Sequence, residues 1–209
     1  MHTKPKKMEA VEPQTSVVSR SRSGERRQAD RLHTVCRVGH VIAANDQGLA
    51  RIRNISDWGL GLEVYMPVYL GDRLTIYLSE DLLVCGKVVW TNAPECGLQL
   101  DNEIDSRALL RELGAQATRT GSRALRIPLK KPAVVQSEAG SQLIDVRDVS
   151  QRGMKVAHDG SFREGLNVKI LMASGLERQG VVRWSKGGLA GLMLLEPFCP
   201  SELGSIHSL

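Results

Sequence analysis

The stretch Asn54-Ile55-Ser56-Asp57-Trp58-Gly59 is echoed by Asp148-Val149-Ser150-Gln151-Arg152-Gly153. The two hexapeptides lie 94 residues apart, and the same offset, without a gap, relates further matched residues. These are Gly71 and Gly165, Gly86 and Gly180, Trp90 and Trp184, and Gly97 and Gly191. Anchors repeated at one constant offset indicate an internal duplication. The 209 residues therefore predict two similar domains of roughly 90 residues each.

Short β-type runs separated by turn residues fill both units. Leu74, Ile76 and Leu78 alternate with polar residues, the period of a half-buried strand. The first unit has six such runs: Thr34–Ala44, Leu49–Ile55, Leu60–Val64, Arg73–Leu78, Leu82–Trp90 and Cys96–Leu100. The second reuses them: Ala133–Gln136, Gln142–Val149, Met154–Ala157, Asn167–Met172, Gln179–Trp184 and Ala190–Leu195. We therefore predict a mainly β protein with two tandem six-stranded antiparallel β-barrels.

A predicted amphipathic helix follows the first barrel. Ile104–Leu113 places apolar residues among charged ones and ends at Gly114, which we expect to cap the helix. The chain is thereby divided into five parts. They are a disordered basic tail (1–25), a first domain (26–113), a linker (114–118), a second domain (119–196) and a weakly patterned C-terminal tail (197–209).

Positive charge is concentrated ahead of each barrel. The chain has a net charge of +5, and residues 1–31 alone hold eight basic and four acidic side chains. A second cluster contains Arg119, Arg123, Arg126, Lys130 and Lys131. An extended polyanion would require a broad basic face, whereas two short clusters suit small anionic ligands. Nucleic-acid binding through the basic tail is therefore disfavoured. The low aromatic content of 4% also argues against single-strand binding, which normally uses aromatic stacking.

Other features argue against membrane insertion, metal binding and catalysis. No stretch has the roughly 18 apolar residues of a membrane span, and the N-terminus has no apolar signal-peptide core, which predicts a cytoplasmic protein. The four cysteines (Cys36, Cys85, Cys96, Cys199) form no CxxC pair and are expected to be reduced structural thiols. The histidines form no cluster with a nucleophile, so no enzyme activity is predicted.

Each repeated hexapeptide lies where one predicted strand ends and the next begins. Its first residue, Asn54 or Asp148, can accept a hydrogen bond, and its serine, Ser56 or Ser150, offers a hydroxyl group. Gly59 and Gly153 would permit a positive φ. Such a turn can bind the edge of a nucleotide base. The alternative is a plain β-turn whose polar side chains bond to their own backbone.

An arginine pair precedes each barrel at a similar distance. Arg27 and Arg31 end 23 residues before Asn54, while Arg119 and Arg123 end 25 residues before Asp148. A guanidinium group binds phosphate or the O6/N7 edge of guanine with two hydrogen bonds, and it can stack on a purine. Arginines facing a polar turn on a barrel are thus predicted to form a binding site for an anionic purine nucleotide.

The combination of RxxxR with [D/N]xSxxG on a six-stranded barrel resembles the PilZ domain, which binds the bacterial second messenger cyclic di-GMP. The resemblance covers nearly everything but the tails. It implies a ligand site in each unit, formed in the first by Arg27, Arg31, Asn54, Ser56 and Gly59. In the second unit it implies Arg119, Arg123, Asp148, Ser150 and Gly153. Arg26 is an additional arginine directly before the first pair, and the resemblance implies that it allows a ligand dimer there. Thr118 stands at the equivalent position of the second unit, so the dimer is implied in the first site only.

The function implied is that of a non-enzymatic cyclic di-GMP receptor. Ligand binding would change the angle between the barrels and control an unidentified protein partner in motility, biofilm or exopolysaccharide production. The alternative is a tandem-barrel adaptor with one or both ligand sites inactive. Trp90 and Trp184 are expected to pack in the core or at the barrel rim, with ligand stacking as the alternative.

Overall fold

The computed structural model describes residues 32–118 and 124–209. It contains two closed antiparallel barrels, which confirms the predicted mainly β fold. The first consists of β1 (Leu32–Ile42), β2 (Gln47–Ser56), β3 (Gly59–Glu63), β4 (Arg73–Tyr77), β5 (Leu83–Asn92) and β6 (Glu95–Leu100). The second consists of β7 (Ile127–Ser137), β8 (Gly140–Ser150), β9 (Gly153–Ala157), β10 (Asn167–Met172), β11 (Glu177–Lys186) and β12 (Leu189–Leu194).

The two barrels have the same topology. Around the first, the strand order is β1-β2-β3-β6-β5-β4, and around the second it is β7-β8-β9-β12-β11-β10. Matched apolar residues face both interiors and are at most 6% exposed: Ile52/Val146, Ile55/Val149, Ile76/Ile170, Val88/Val182, Leu98/Leu192 and Leu100/Leu194. The core pattern predicted from the repeat is therefore confirmed.

Helix α1 (Ser106–Thr118) follows the first barrel and packs Leu109 and Leu113 onto its core. The predicted glycine cap is wrong, since the helix runs through Gly114 and through the segment expected to be a linker. A glycine inside a helix costs only about 1 kcal/mol relative to alanine, and the helix formers Ala115 and Gln116 follow it directly. No helix within the described ranges is long and apolar enough to span a bilayer.

Residues 197–209, here called the C-terminal segment, are part of the packed structure and not a loose tail. Phe198, Leu203 and Leu209 are buried within the core cluster of the second barrel. The guanidinium of Arg178 lies 4.4 Å from the ring centre of Phe198, and its second contact is the carboxylate of Glu202. The hydrophobic pattern of this segment is weak, so its three core residues could not be predicted from the sequence.

The C-terminal segment also joins the two barrels. The backbone N–H of Leu49 in β2 donates to the carbonyl oxygen of Leu203 at 2.7 Å, and the side chain of Leu49 belongs to the core cluster of the second barrel. Asp46, in the β1–β2 turn, accepts from the hydroxyl of Ser205 at 2.6 Å and from the backbone N–H of Ile206 at 3.1 Å. The β1–β2 hairpin of the first barrel thus packs against the C-terminal segment.

Three cysteine side chains are described, and they differ in exposure: Cys96 is buried, Cys85 is partly buried and Cys199 is exposed. Cys85, Cys96 and Cys199 are free thiols. Cys96 lies in the core of the first barrel, where burial raises the pKa of its thiol to about 11. Its thiolate form is therefore negligible at neutral pH, and with it the reactivity of this side chain.

Candidate ligand-binding face

The repeated hexapeptide forms the tight turn between two adjacent strands in both barrels. β2 ends at Ser56 and β3 begins at Gly59, while β8 ends at Ser150 and β9 begins at Gly153. The hydroxyl of each serine donates to the carbonyl oxygen of the glycine three residues later, at 3.2 Å and 3.1 Å. This is the bond expected of a plain turn, and it leaves the serine oxygen only as an acceptor.

The glycines of the two turns are required for a reason that the sequence did not show. Neither Gly59 nor Gly153 has a positive φ, so that expectation is wrong. A Cβ atom at Gly59 would instead lie 2.9 Å from the carbonyl oxygen of Leu98, and one at Gly153 would lie 2.6 Å from that of Leu192. Close approach of the neighbouring strand therefore excludes any side chain at both positions.

A β-bulge turns Asn54 outward in β2. Ile52 pairs with Leu62, but the next pair along the strand is Asn54 with Gly61, so Arg53 is the additional residue. Arg53 and Asn54 are both exposed, and Arg53 forms an ion pair with Glu63 at 2.9 Å. Bulges of this kind re-aim side chains next to functional sites. The second barrel has the same bulge before Asp148.

In the first barrel, Asn54 shares a cross-strand row with Gly61, Gly97 and Trp90. The amide of Asn54 covers Gly61, where a Cβ atom would lie 2.5 Å from its Nδ2. The indole of Trp90 covers Gly97 in the same way, with Nε1 1.9 Å from the place of a Cβ atom. The two glycines thus let an amide and an indole lie flat on the outside of the barrel and approach each other from opposite ends.

The tryptophans are therefore surface residues, and core packing is the wrong expectation for them. Trp90 is 46% exposed and Trp184 is 44% exposed. The glycines at positions 97 and 191, which face them across the strands, could have indicated a flat indole on the sheet surface. A flat, half-exposed indole beside a polar turn is a surface on which a nucleotide base can stack.

The second barrel repeats the row with one change. Asp148 pairs with Lys155, Lys155 with Gly191, and Gly191 with Trp184. Lys155 thus stands where the first barrel has Gly61. An acidic side chain in the pose of Asn54 would collide with the Cβ atom of Lys155, because the equivalent atom at Gly61 would be 2.5 Å from the amide.

Asp148 is instead held by Arg126. The two form a close ion pair between one guanidinium nitrogen and Oδ1, with side chains 39% and 21% exposed. Arg126 belongs to the basic cluster ahead of the second barrel and had no predicted role. The signal that could have found it is its spacing of 22 residues from Asp148, one less than the spacing of Arg31 from Asn54.

The first central residue of each turn, Asp57 or Gln151, is bonded to the segment that follows the barrel. Asp57 accepts from the backbone N–H and hydroxyl of Ser106, at 3.1 Å and 2.5 Å, where α1 begins. Because the hydroxyl and then the amide of Ser106 donate to it, the pKa of the Asp57 carboxyl lies below its usual value. The backbone N–H of Ile104 also donates to the carbonyl oxygen of Asp57.

The second unit preserves this connection. Gln151, at the position equivalent to Asp57, accepts from the backbone N–H of Phe198 at 2.8 Å through its carbonyl oxygen. Its side-chain amide donates to the carbonyl oxygen of Phe198 at 3.2 Å. Phe198 follows Ile104 by the same offset of 94 residues that relates the two turns. Each motif is thus bonded directly to α1 or to the C-terminal segment.

The predicted arginines (Arg26, Arg27, Arg31, Arg119 and Arg123) all lie outside the described residues. The first residues of β1 and β7 lie beside the two motifs. Thr34 pairs with Asn54 and Pro128 pairs with Asp148, so both segments enter beside the first residue of the motif. Asn54, Ser56 and Gly59 lie close together where β2 passes into β3, and Asp148, Ser150 and Gly153 where β8 passes into β9, although the side chain of Ser150 is buried.

A serine and a histidine in the second barrel are hydrogen-bonded in the wrong direction for the histidine to act as a general base. The hydroxyl of Ser185 lies 3.1 Å from Nε2 of His158. Nδ1 of the same ring accepts from the backbone N–H of Gly160 at 3.0 Å, so the neutral imidazole carries its proton on Nε2. His158 therefore donates to Ser185 and cannot remove its proton.

Comparison with known proteins assigns the first barrel to a family. The PilZ domain family matches residues 25–116, a range that includes β1 to β6 and nearly all of α1. The chain contains a PilZ domain. The family match stops before the second barrel, whose relation to PilZ rests on the internal repeat and the identical strand order. No curated protein sequence matches the chain significantly.

Several solved structures are similar to this chain at low sequence identity and low TM-score. PlzA from Borreliella burgdorferi, in complex with c-di-GMP, is 10% identical, with 78% of this chain and 81% of that chain covered and a TM-score of 0.35. The Bacillus subtilis inhibitor of motility MotI/DgrA is 14% identical (78% and 88% covered, TM-score 0.31). YcgR from Escherichia coli, in complex with c-di-GMP, is 13% identical (80% and 78% covered, TM-score 0.28). At these values the likeness extends to no individual residue.

Proposed function

We propose that the protein is a non-enzymatic cytoplasmic receptor for cyclic di-GMP, with one ligand site on each barrel. The observation that carries the proposal is the row of Asn54, Gly61, Gly97 and Trp90 beside a PilZ motif. It offers a flat amide and indole for base stacking, with hydrogen-bonding groups at the edge. The arginines predicted ahead of β1 would supply the positive charge that a ligand with two phosphodiester groups requires.

In the first site, Arg27 and Arg31 would bind phosphate and guanine, with Arg26 allowing a second ligand molecule to stack. Asn54 would bond to a guanine edge across the turn that Ser56 and Gly59 keep tight. In the second site, Asp148, Ser150 and Gly153 would have the matching roles, with Asp148 paired to Arg126 where Asn54 lies on the sheet. Arg119 and Arg123 remain predictions for its arginine pair.

Ligand binding would be transmitted through the segments bonded to each turn. A movement of the first turn acts on the start of α1 through Asp57, and a movement of the second acts on Phe198 through Gln151. The C-terminal segment then leads to Asp46 in the first barrel. The position of the barrels would in this way respond to the ligand, and a protein partner in motility, biofilm or exopolysaccharide control would read that change.

Isothermal titration with cyclic di-GMP tests the receptor function. The wild-type chain should bind with more than one ligand per chain, and Arg31→Ala should remove the heat of the first site. Arg73→Ala is a matched control, because it removes an exposed arginine that is paired with Asp101 and belongs to neither motif. No heat for the wild type would exclude the receptor function and favour the adaptor, whose barrels keep the fold without a ligand.

A further inference from the structure

The register of β7 identifies the chain position equivalent to Arg31. In the first barrel, Leu32 pairs with Ile55, the second residue of the motif, and Arg31 is the residue before it. In the second barrel, Ile127 pairs with Val149, the second residue of its motif, and Arg126 is the residue before it. By strand register, Arg126 therefore stands in the second unit where Arg31 stands in the first.

A bulge accounts for the one-residue difference in spacing. In β1, the pairs Leu32–Ile55 and Thr34–Asn54 enclose one additional residue on the β1 side. In β7, the pairs Ile127–Val149 and Pro128–Asp148 are consecutive, so the strand is one residue shorter there. The shorter strand gives Arg126 a spacing of 22 residues from its motif, where Arg31 has 23. Arg123 lies three residues further from the strand.

The side chain of Arg126 faces the second motif. Arg126 and Pro128 are exposed while Ile127 between them is fully buried, so Arg126 is on the outer face that also presents Asp148. The ion pair with Asp148 fixes the guanidinium at the motif while it keeps its remaining N–H donors. A guanidinium already oriented by a carboxylate loses less freedom when it binds an anion.

We propose that Arg126 is a ligand-binding arginine of the second site, and that it has the role predicted for Arg31 in the first. This inference rests on the proposed receptor function. Lys155 prevents Asp148 from lying on the sheet as Asn54 does, so the second site presents an arginine–carboxylate pair where the first presents an amide. A ligand that supplies both an anion for Arg126 and N–H donors for Asp148 satisfies both groups of that pair, as a guanine nucleotide does.

Titration of the full chain with cyclic di-GMP tests the role of Arg126. Arg126→Ala should weaken the second site roughly tenfold or more, the effect of one lost charge-assisted hydrogen bond, and leave the first site unchanged. Arg163→Ala is the matched control, because it removes an exposed arginine of the same barrel that is paired with Glu138 in the β7–β8 turn, and it should change the second site less than threefold. Thermal unfolding of each variant checks that the second barrel stays folded.

Asp148→Asn separates ligand binding from a purely structural ion pair. It removes the pair but keeps a hydrogen-bonding group that the first site also uses, so it should weaken binding less than Arg126→Ala. Equal losses in these two variants would show that Arg126 acts only by holding Asp148 and would overturn the inference. So would an unchanged second site in Arg126→Ala, or a wild type that binds at the first site alone. A wild type without any heat would instead exclude the receptor function, and with it this role.

Discussion

The side-chain amide of Asn54 lies directly against the backbone of Gly61 on the outer face of the first barrel, close enough to exclude a Cβ atom there. The relationship is specific to the first barrel because Lys155 takes the place of Gly61 in the second. Asn54 therefore has a defined pose before any ligand arrives. The affinity of the first site should therefore depend on Gly61, although Gly61 has no side chain that could bind the ligand.

Gly61→Ala tests this dependence. The new methyl group would lie 2.5 Å from Nδ2 of Asn54 and must displace the amide, so cyclic di-GMP should bind the first site roughly tenfold more weakly, as expected for one lost hydrogen bond. Gly191→Ala displaces the indole of Trp184 in the second barrel and serves as the control. An unchanged first site in Gly61→Ala, measured by calorimetry, would show that the pose of Asn54 does not matter.

Asp57→Ala should loosen α1 and the first motif together. The substitution removes the acceptor for the Ser106 backbone N–H and hydroxyl, which should lower the free energy of unfolding. Amide hydrogen exchange should become faster in α1 and in the turn. Asp105→Ala is the matched control, because Asp105 accepts from the N–H of Ala108 and has no contact with the motif in the described residues. If both variants leave the turn equally protected, the turn and the helix are not coupled.

Gln151→Ala should act at a distance from its own barrel. It removes the bond to the carbonyl oxygen of Phe198 and should destabilise the C-terminal segment by about 1 kcal/mol. Faster exchange is then expected at the Leu49 amide, which donates to Leu203. Gln142→Ala removes a comparable bond, to Ser161 in the same barrel, and should leave Leu49 protected. Equal protection in the two variants would contradict a path from the second motif to the first barrel.

The stability of the chain should decrease in mildly acidic solution because of His40. Burial lowers the pKa of His40 below its usual value, against a smaller opposite effect of its hydrogen bond to Gln47. The unfolded chain therefore takes up a proton near pH 6.5 that the folded chain does not, and stability is lost as the pH falls below about 6.5. The denaturant midpoint should fall between pH 7.5 and pH 5, with a smaller decrease in His40→Gln. An equal decrease in both proteins would assign the effect to other groups.

Two glycine substitutions should change stability in opposite directions. Gly48→Ala would place a Cβ atom 2.1 Å from the carbonyl oxygen of Gly204, and forced repacking of this backbone contact should cost roughly 1 to 3 kcal/mol. Gly114→Ala meets nothing within 4 Å inside α1 and should stabilise the chain by about 0.5 to 1 kcal/mol. Thermal unfolding measures both effects. A stabilising Gly48→Ala would show that the C-terminal segment does not press on β2.

The sequence predicted the barrels well because their strands alternate and the repeat marks equivalent core positions such as Ile52 and Val146. It could not show that Gly59 avoids a neighbouring carbonyl group or that Trp90 lies on a glycine, since both depend on which strands become neighbours. The same limit concealed Arg126, whose role follows from the pairing register of β7. Helix α1 was misplaced at its end because a single glycine was given more weight than the helix formers after it.

The position of Leu49 has a consequence for how the chain is made. Its side chain belongs to the core of the second barrel and its amide bonds to Leu203, so both remain unsatisfied until the end of the second repeat has been synthesised. At 5 to 20 residues per second, that interval lasts roughly 8 to 30 seconds. During this time the Leu49 side chain of the nascent first repeat lacks the apolar neighbours that the second barrel supplies. The first repeat therefore reaches its final packing only when the second repeat is present.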